Sequence, residues 1–287
     1  MNKQLQHFFD SFRLGNKFSY TFLTDLVSIS LIVFVFTWFS SYVQQRSLEL
    51  LQGRTPEEIQ QMIATTAASN PAQLQAFTTA LWHFMAVFIV GLLILSVGSL
   101  LLFSYSRAWI WNYLQGKSVG KKHWRWNLLN LSLLIPLIIF LLVLFLVRII
   151  VAMFLNLIPK IIPVFYITHS ALMGNVELVV DGAAMFYAVM AFVIIIFLIH
   201  SSFAKTYRVW DSIGMGFSLF KKYWKTVLLV ALFATIIAFV ITLILLPIKK
   251  FLIFHLFLST LLNVALAAFF LSWLRLYVNN VILHGSQ

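Results

Sequence analysis

The chain contains no cysteine and very little acid. Its 287 residues include 8 Asp+Glu against 20 Lys+Arg, and charged residues of both signs make up only 10%. Without cysteine there are no disulfides, thiolate metal sites or cysteine nucleophiles. A soluble globular chain carries roughly 25% charged residues. A chain with so few has too little polar surface to face water on all sides. What replaces the charge is apolar: 62% of residues are hydrophobic and the mean hydropathy is +0.96.

Catalytic signatures are missing as well. The sequence has no His-Glu-x-x-His, no Gly-x-Ser-x-Gly and no phosphate-binding Gly-rich loop. Gly214-Met215-Gly216 begins like a dinucleotide fingerprint but lacks its third glycine and the preceding strand, so it reads as a close-packing or hinge site. The seven histidines are scattered with no i,i+4 pair, which gives no local support for a metal site. No catalytic residue, metal ligand or cofactor is expected.

What the sequence does contain is a series of apolar runs. A bilayer-spanning helix needs ~20 mostly apolar residues. Runs of that kind occupy Tyr20–Val43, Phe77–Tyr105, Leu128–Ile158, Ala183–Phe203, Val227–Leu246 and Phe251–Leu271. They predict an all-α polytopic membrane bundle of six spans over 1–287, in a single membrane domain. Pro247-Ile248-Lys249-Lys250 predicts a tight hairpin between the last two spans. The first run starts near Phe22, is long, and ends in Ser40-Ser41-Tyr42-Val43 with no small-x-small cleavage site, so it reads as a retained helix.

The distribution of charge assigns the sides. Lys3, Arg13, Lys17, Arg107, Lys117, Lys121, Lys122, Arg125, Lys205, Arg208, Lys221, Lys222, Lys225 and Arg275 fall on one side. Arg46, Arg54, Lys160, Lys249 and Lys250 fall on the other. Basic loops favour the cytoplasm, which predicts a cell-membrane protein with both termini inside; an even number of spans agrees, since it requires the termini to share a side. Trp109, Trp111, Trp124, Trp126, Trp210, Trp224 and Trp273 join the basic side, while Trp38 and Trp82 lie toward the outer face. Tryptophan favours the headgroup zone. The net charge of +12 is therefore a property of the cytoplasmic face and points to lipid rather than nucleic acid.

The inner loops repeat. Gly120-Lys121-Lys122-His123-Trp124-Arg125 matches Phe220-Lys221-Lys222-Tyr223-Trp224-Lys225, each followed by a pair of leucines. Trp111-Asn112 matches Trp210-Asp211, and Phe9-Asp10-Ser11 is a fainter copy. Three parallel units are expected, about 1–102, 103–202 and 203–287. Each would hold an interfacial helix, a basic-aromatic turn and a two-span hairpin. Ala108–Leu114 and Tyr207–Phe220 have the amphipathic spacing of helices lying in the headgroup plane. The outer loop 44–76 has one capping box, Thr55-Pro56-Glu57-Glu58, predicting a short helix to about Ala68. Segment Pro159–Val180 either lies on the outer surface or dips into the membrane.

The unit of interfacial helix, Lys-Lys-x-Trp-Lys/Arg and apolar hairpin resembles that of six-pass membrane families: the YciC-like proteins and the membrane domain attached to some glycerophosphodiester phosphodiesterases. The resemblance covers most of the chain in layout, through short motifs. It implies a six-pass fold and no particular activity. The phosphodiesterase chemistry does not transfer, because its catalytic domain is absent from these residues.

Two groups of candidate residues follow. Lys121, Lys122, Trp124, Arg125, Lys221, Lys222, Trp224 and Lys225 suit anionic lipid headgroups, with lysines meeting phosphates and tryptophans fixing depth. The same residues also suffice to set topology. The second group is polar residues within the spans: Asp25, Asn130, Arg148, His200, His255 and Asn263. Packing or interface polarity is their ordinary explanation. Asp25 has the inner basic belt within reach as a counter-charge, and Arg148 has Glu177 or Asp181. Gly91 and Gly98 share a face of span two, as close helix packing requires. The expected activity is non-enzymatic binding of membrane lipid or membrane protein partners. The alternative is a small-molecule transporter or channel with a polar cavity near Asn130 and Asn263, although Pro136 is the one helix breaker within the spans.

Overall fold

A computed structural model of the chain describes residues 15–52, 54–117, 122–161, 173–251 and 255–280. The Phe9–Ser11 copy, Lys121 and the 162–172 part of the Pro159–Val180 segment lie outside these residues. The described residues form helices and no strand: α1 (Asn16–Leu51), α2 (Pro56–Ser69), α3 (Pro71–Leu114), α4 (His123–Ser132), α5 (Leu134–Ile161), α6 (Met173–Thr206), α7 (Val209–Phe251) and α8 (Leu256–Val278). Six stretches are long and apolar enough to cross a membrane, with α4 and the first part of α5 counted together. The chain is thus a multi-pass helical membrane protein in its architecture.

Helix lengths exceed the expected spans. At 1.5 Å per residue, α1 with 36 residues and α3 with 44 measure about 54 and 66 Å, against a hydrocarbon thickness of about 30 Å. Ala108–Leu114 is therefore not a separate interfacial helix. It is the end of α3, and Ala108, Ile110, Trp111, Asn112 and Leu114 are buried there rather than lying flat at a surface. No proline or glycine separates Tyr105 from Leu114, so nothing in that stretch breaks the helix. The second such segment does stand off from its span, because α7 bends at Tyr223 (φ −114°, ψ 25°). Lys122, at the start of α4, has nearly the same backbone angles (φ −102°, ψ 25°). The two basic-aromatic turns thus bend the chain alike, one residue out of register.

The two prolines act differently. Pro136 has no N–H, and its ring crowds the carbonyl four residues back. That carbonyl is Ser132, the residue at which α4 ends. Pro247 does not end α7, which runs on to Phe251. Residues 247–250, where a hairpin was expected, are therefore helical, and α8 begins at Leu256. A proline this close to a helix end removes little of the ladder, and the apolar run Ile241–Leu246 carries the helix through it.

Two compact units result, one of Met1–Leu26 with Ser104–Gln287 and the other of Val27–Phe103. In the smaller unit, the α2 N-terminus carries the capping box, with Thr55 Oγ1 accepting from Glu58 N (3.3 Å) and Thr55 N donating to Glu58 Oε2 (2.9 Å). A Cβ at Gly91 would lie 2.4 Å from the Phe39 ring, whereas beside Gly98 there is open space. Close packing holds at the first glycine only. In the larger unit α6 and α7 pack along each other, and a Cβ at Gly216 would meet Ile199 Cγ1 at 2.3 Å and Ile199 Cα at 3.0 Å. Of the two readings of Gly214-Met215-Gly216, close packing is the one realised at Gly216.

Candidate functional site

The larger unit buries an ionic cluster. Asp25 on α1 is fully buried and accepts from Arg107 Nη2 on α3, from Arg275 Nη1 on α8 at 2.8 Å, and from Ser272 Oγ at 3.0 Å. Arg107 is 3% exposed and Arg275 0%. Ser272 and Arg275 are three apart on one helix and so share a face. One carboxylate therefore ties three helices together at positions 25, 107 and 275. The Arg275 guanidinium also lies over the Phe197 ring, with Cζ 5.1 Å from the centroid.

Beside it runs a hydrogen-bonded chain. Asn130 Nδ2 donates to Ser104 Oγ (2.9 Å) and to the Trp126 carbonyl (3.0 Å). The carbonyl can only accept, so the Asn130 amide orientation is fixed. Its Oδ1 then faces His200 Nε2 at 2.9 Å, which places the His200 proton on Nε2 and leaves Nδ1 as an acceptor. His200 packs against Trp126 and Trp111, at ring-centroid distances of 5.8 and 6.5 Å. His200 Nδ1, Trp111 Nε1, Trp126 Nε1 and both Nε and Nη2 of Arg275 are buried without hydrogen-bond partners among the described residues.

A third assembly joins the basic turn to the end of α6. Tyr207 has φ +55°, a left-handed residue closing the helix with Tyr207 N bonded to Phe203 O at 2.7 Å. Carbonyls at this end have no partner within the helix. Gln115 Nε2 donates to Ser201 O (2.8 Å), Lys117 Nζ to Ala204 O (2.8 Å), and Arg125 Nη1 to Tyr207 O (3.3 Å). Cations here also complement the negative end of the helix dipole. The ammonium groups of Lys117 and Lys122 lie 5.6 and 5.0 Å from the Tyr207 ring centroid. Tyr207 Oη donates to Asn112 Oδ1 at 2.7 Å. Burial raises the Tyr207 phenol above its ordinary pKa.

Protein-family models, curated proteins and solved structures were compared with the chain, and none matches.

The predicted site residues thus fall into separate places. Lys122, Trp124, Arg125, Lys221, Lys222, Trp224 and Lys225 are all exposed, Trp124 at 75%. Arg125 does structural work besides, through Tyr207. Trp111 and Trp210, which correspond in the repeat, differ: the first is sealed in the core and the second is 71% exposed. Asp25, Asn130 and His200 are brought to the interior of one unit. Arg148, His255 and Asn263 are exposed on their helices and do not join them. Asp25 finds its counter-charges in Arg107 and Arg275, two of the bases that the charge count groups on one side. The side chains of Glu177 and Asp181, the acids considered for Arg148, lie outside the described residues. Sequence reasoning missed Ser104, Ser272 and the burial of both arginines. One signal was available: Arg107 and Arg275 each stand without another charge within five residues, unlike the clustered bases of the turns.

Proposed function

We propose that this chain is a non-enzymatic multi-pass protein of the cell membrane, with both termini in the cytoplasm and the six-pass layout of the YciC-like proteins, and that it binds anionic lipid headgroups through its basic-aromatic turns. The observation that carries this reading is the gathering of Lys117, Lys122 and Arg125 about Tyr207, with exposed Lys205 and Arg208 beside it in sequence. Five cations at one helix joint, with Asp211 the one nearby acid in sequence, favour a phosphate-bearing surface. Trp124 and Trp210 stand exposed next to these bases, as side chains that enter a headgroup layer do. The transporter alternative gains nothing comparable. Asn263 is exposed, and Asn130 is committed to Ser104, Trp126 and His200.

The test is lipid retention by the purified chain in detergent, read by native mass spectrometry after exposure to equal phosphatidylglycerol and phosphatidylcholine. Each basic residue near the surface is worth about 1 kcal/mol at an anionic membrane. Replacing Lys121, Lys122, Lys221 and Lys222 together with Gln should lower the preference for phosphatidylglycerol on the order of several hundred-fold. An unchanged preference overturns the reading and leaves these turns as topology signals.

A further inference from the structure

The ionic cluster in the larger unit sets the guanidinium groups of Arg107 and Arg275 on the one carboxylate of Asp25. Buried charge is tolerated when it is paired and hydrogen-bonded. Asp25 occupies Nη1 of Arg275, while Nε and Nη2 of the same group have no partner among the described residues, at 0% exposure. Those two atoms form one edge of the guanidinium plane, and their N–H bonds are parallel. That edge is the fork that grips both oxygens of a carboxylate or phosphate. Phe197 lies on the face of the guanidinium, and Trp111, edge-to-face with Phe197 at 6.1 Å, has its indole N–H unpartnered too. Buried donors are therefore left over among the described residues on Arg275 and on Trp111, and the geometry of the Arg275 edge selects an oxyanion over a halide.

We infer that the Nε–Nη2 edge of Arg275 is the receptor for one oxyanion, a phosphate group either free or carried by a lipid. Arg275 lies three residues from the end of α8 at Val278, so the group enters by displacement of that helix end, not through the bundle centre. Bound there, it accepts both N–H bonds of that edge and holds the Arg275 guanidinium against Phe197 of α6. The site is independent of the basic turns, whose side chains are exposed.

The test uses the whole chain in detergent, with thermal unfolding followed by tryptophan fluorescence. Inorganic phosphate and, separately, a short-chain phosphatidic acid are titrated against sodium chloride at matched ionic strength. The inference expects a saturable rise in Tm with at least one of the two. Saturation by inorganic phosphate identifies a free oxyanion, and saturation by the lipid alone identifies a headgroup. Arg275→Met should abolish the rise. Because that variant also breaks the contact with Asp25, Arg275→Lys is the control: it keeps the charge and one donor to Asp25 but loses the fork, and its apparent affinity should fall ~10-fold or more. Loss of lipid preference in the Lys121/Lys122/Lys221/Lys222 variant should leave the phosphate response intact. Absence of any saturable rise in the wild-type chain, or equal affinity in Arg275→Lys, overturns the inference.

Discussion

The larger unit has a sealed interior and the smaller unit has almost none. Trp111, Trp126, Trp273 and Tyr277 are at most 3% exposed in the larger one, together with Asp25, Arg107 and Arg275. From 29 to 103 no described residue is buried at all, and Trp82, Leu93 and Ile94 are at least 60% exposed. In water the second arrangement would be untenable, because apolar area left in solvent forfeits about 25 cal/mol per Å². In hydrocarbon the lipid covers what a core would otherwise cover, and a helix pair needs only fit, such as Phe39 against Gly91. The larger unit buries an apolar core as well, and enclosed with it are polar groups: a carboxylate, two guanidinium groups, and the Asn130–His200 pair.

If that contrast is right, the two units should answer the same kind of substitution differently. The largest effect is expected at Asp25. Asp25→Asn removes the carboxylate that two buried guanidinium groups share, and breaking a buried pair from one side costs about 3–5 kcal/mol. The matched change in the smaller unit is Arg46→Gln, which removes an exposed pair with Glu49 at 2.7 Å. It should leave the unfolding temperature in detergent unmoved. Equal Tm values for Asp25→Asn and the wild-type chain would break the comparison outright.

A smaller difference is expected between two glycines. Ala at Gly216 meets the backbone of Ile199 and forces α6 and α7 apart, at about 1–3 kcal/mol. Ala at Gly91 meets the far end of the Phe39 ring, which can swing away, so its effect on Tm should be clearly smaller. Asn130→Ala comes next. It takes the acceptor from His200 Nε2 in the interior, a loss of about 1–3 kcal/mol. The same substitution at exposed Asn263 should be silent in thermal unfolding, and a comparable loss there would mean that Asn263 is covered in the native membrane.

The spans, the capping box and the helix break ahead of Pro136 were legible in the sequence because each is set by residues within one or two turns. Asp25 was legible as an acid inside an apolar run. Its partners were not, since they lie 82 and 250 residues away, and a base at a span end reads the same whether it meets headgroups or a carboxylate. The role of Trp111 was unreadable for a related reason. Repeat matching with Trp210 suggested equivalent places, but only tertiary packing decides which tryptophan faces the core. The end of α7 was misread through Pro247, because a local breaker was set against an apolar run that continues the helix.

The smallest effect belongs to Tyr207, and its sign is fixed by the direction of its pKa. The folded phenol ionises above its ordinary value of about 10 because it is partly buried. Below that value both folded and unfolded chains hold the proton, and the contribution is fully present. As pH rises through about 10 the unfolded chain ionises first and is favoured, so stability falls until the folded phenol ionises too. Tyr207→Phe removes that fall and, at neutral pH, costs about 1 kcal/mol for the lost hydrogen bond to Asn112. The difference between wild-type and variant Tm should therefore narrow between pH 9 and 11 (expected to begin at about pH 10). A constant difference across that range would mean that water reaches the phenol, and that the joint holding Lys117, Lys122 and Arg125 is as open as the smaller unit rather than an extension of the sealed one.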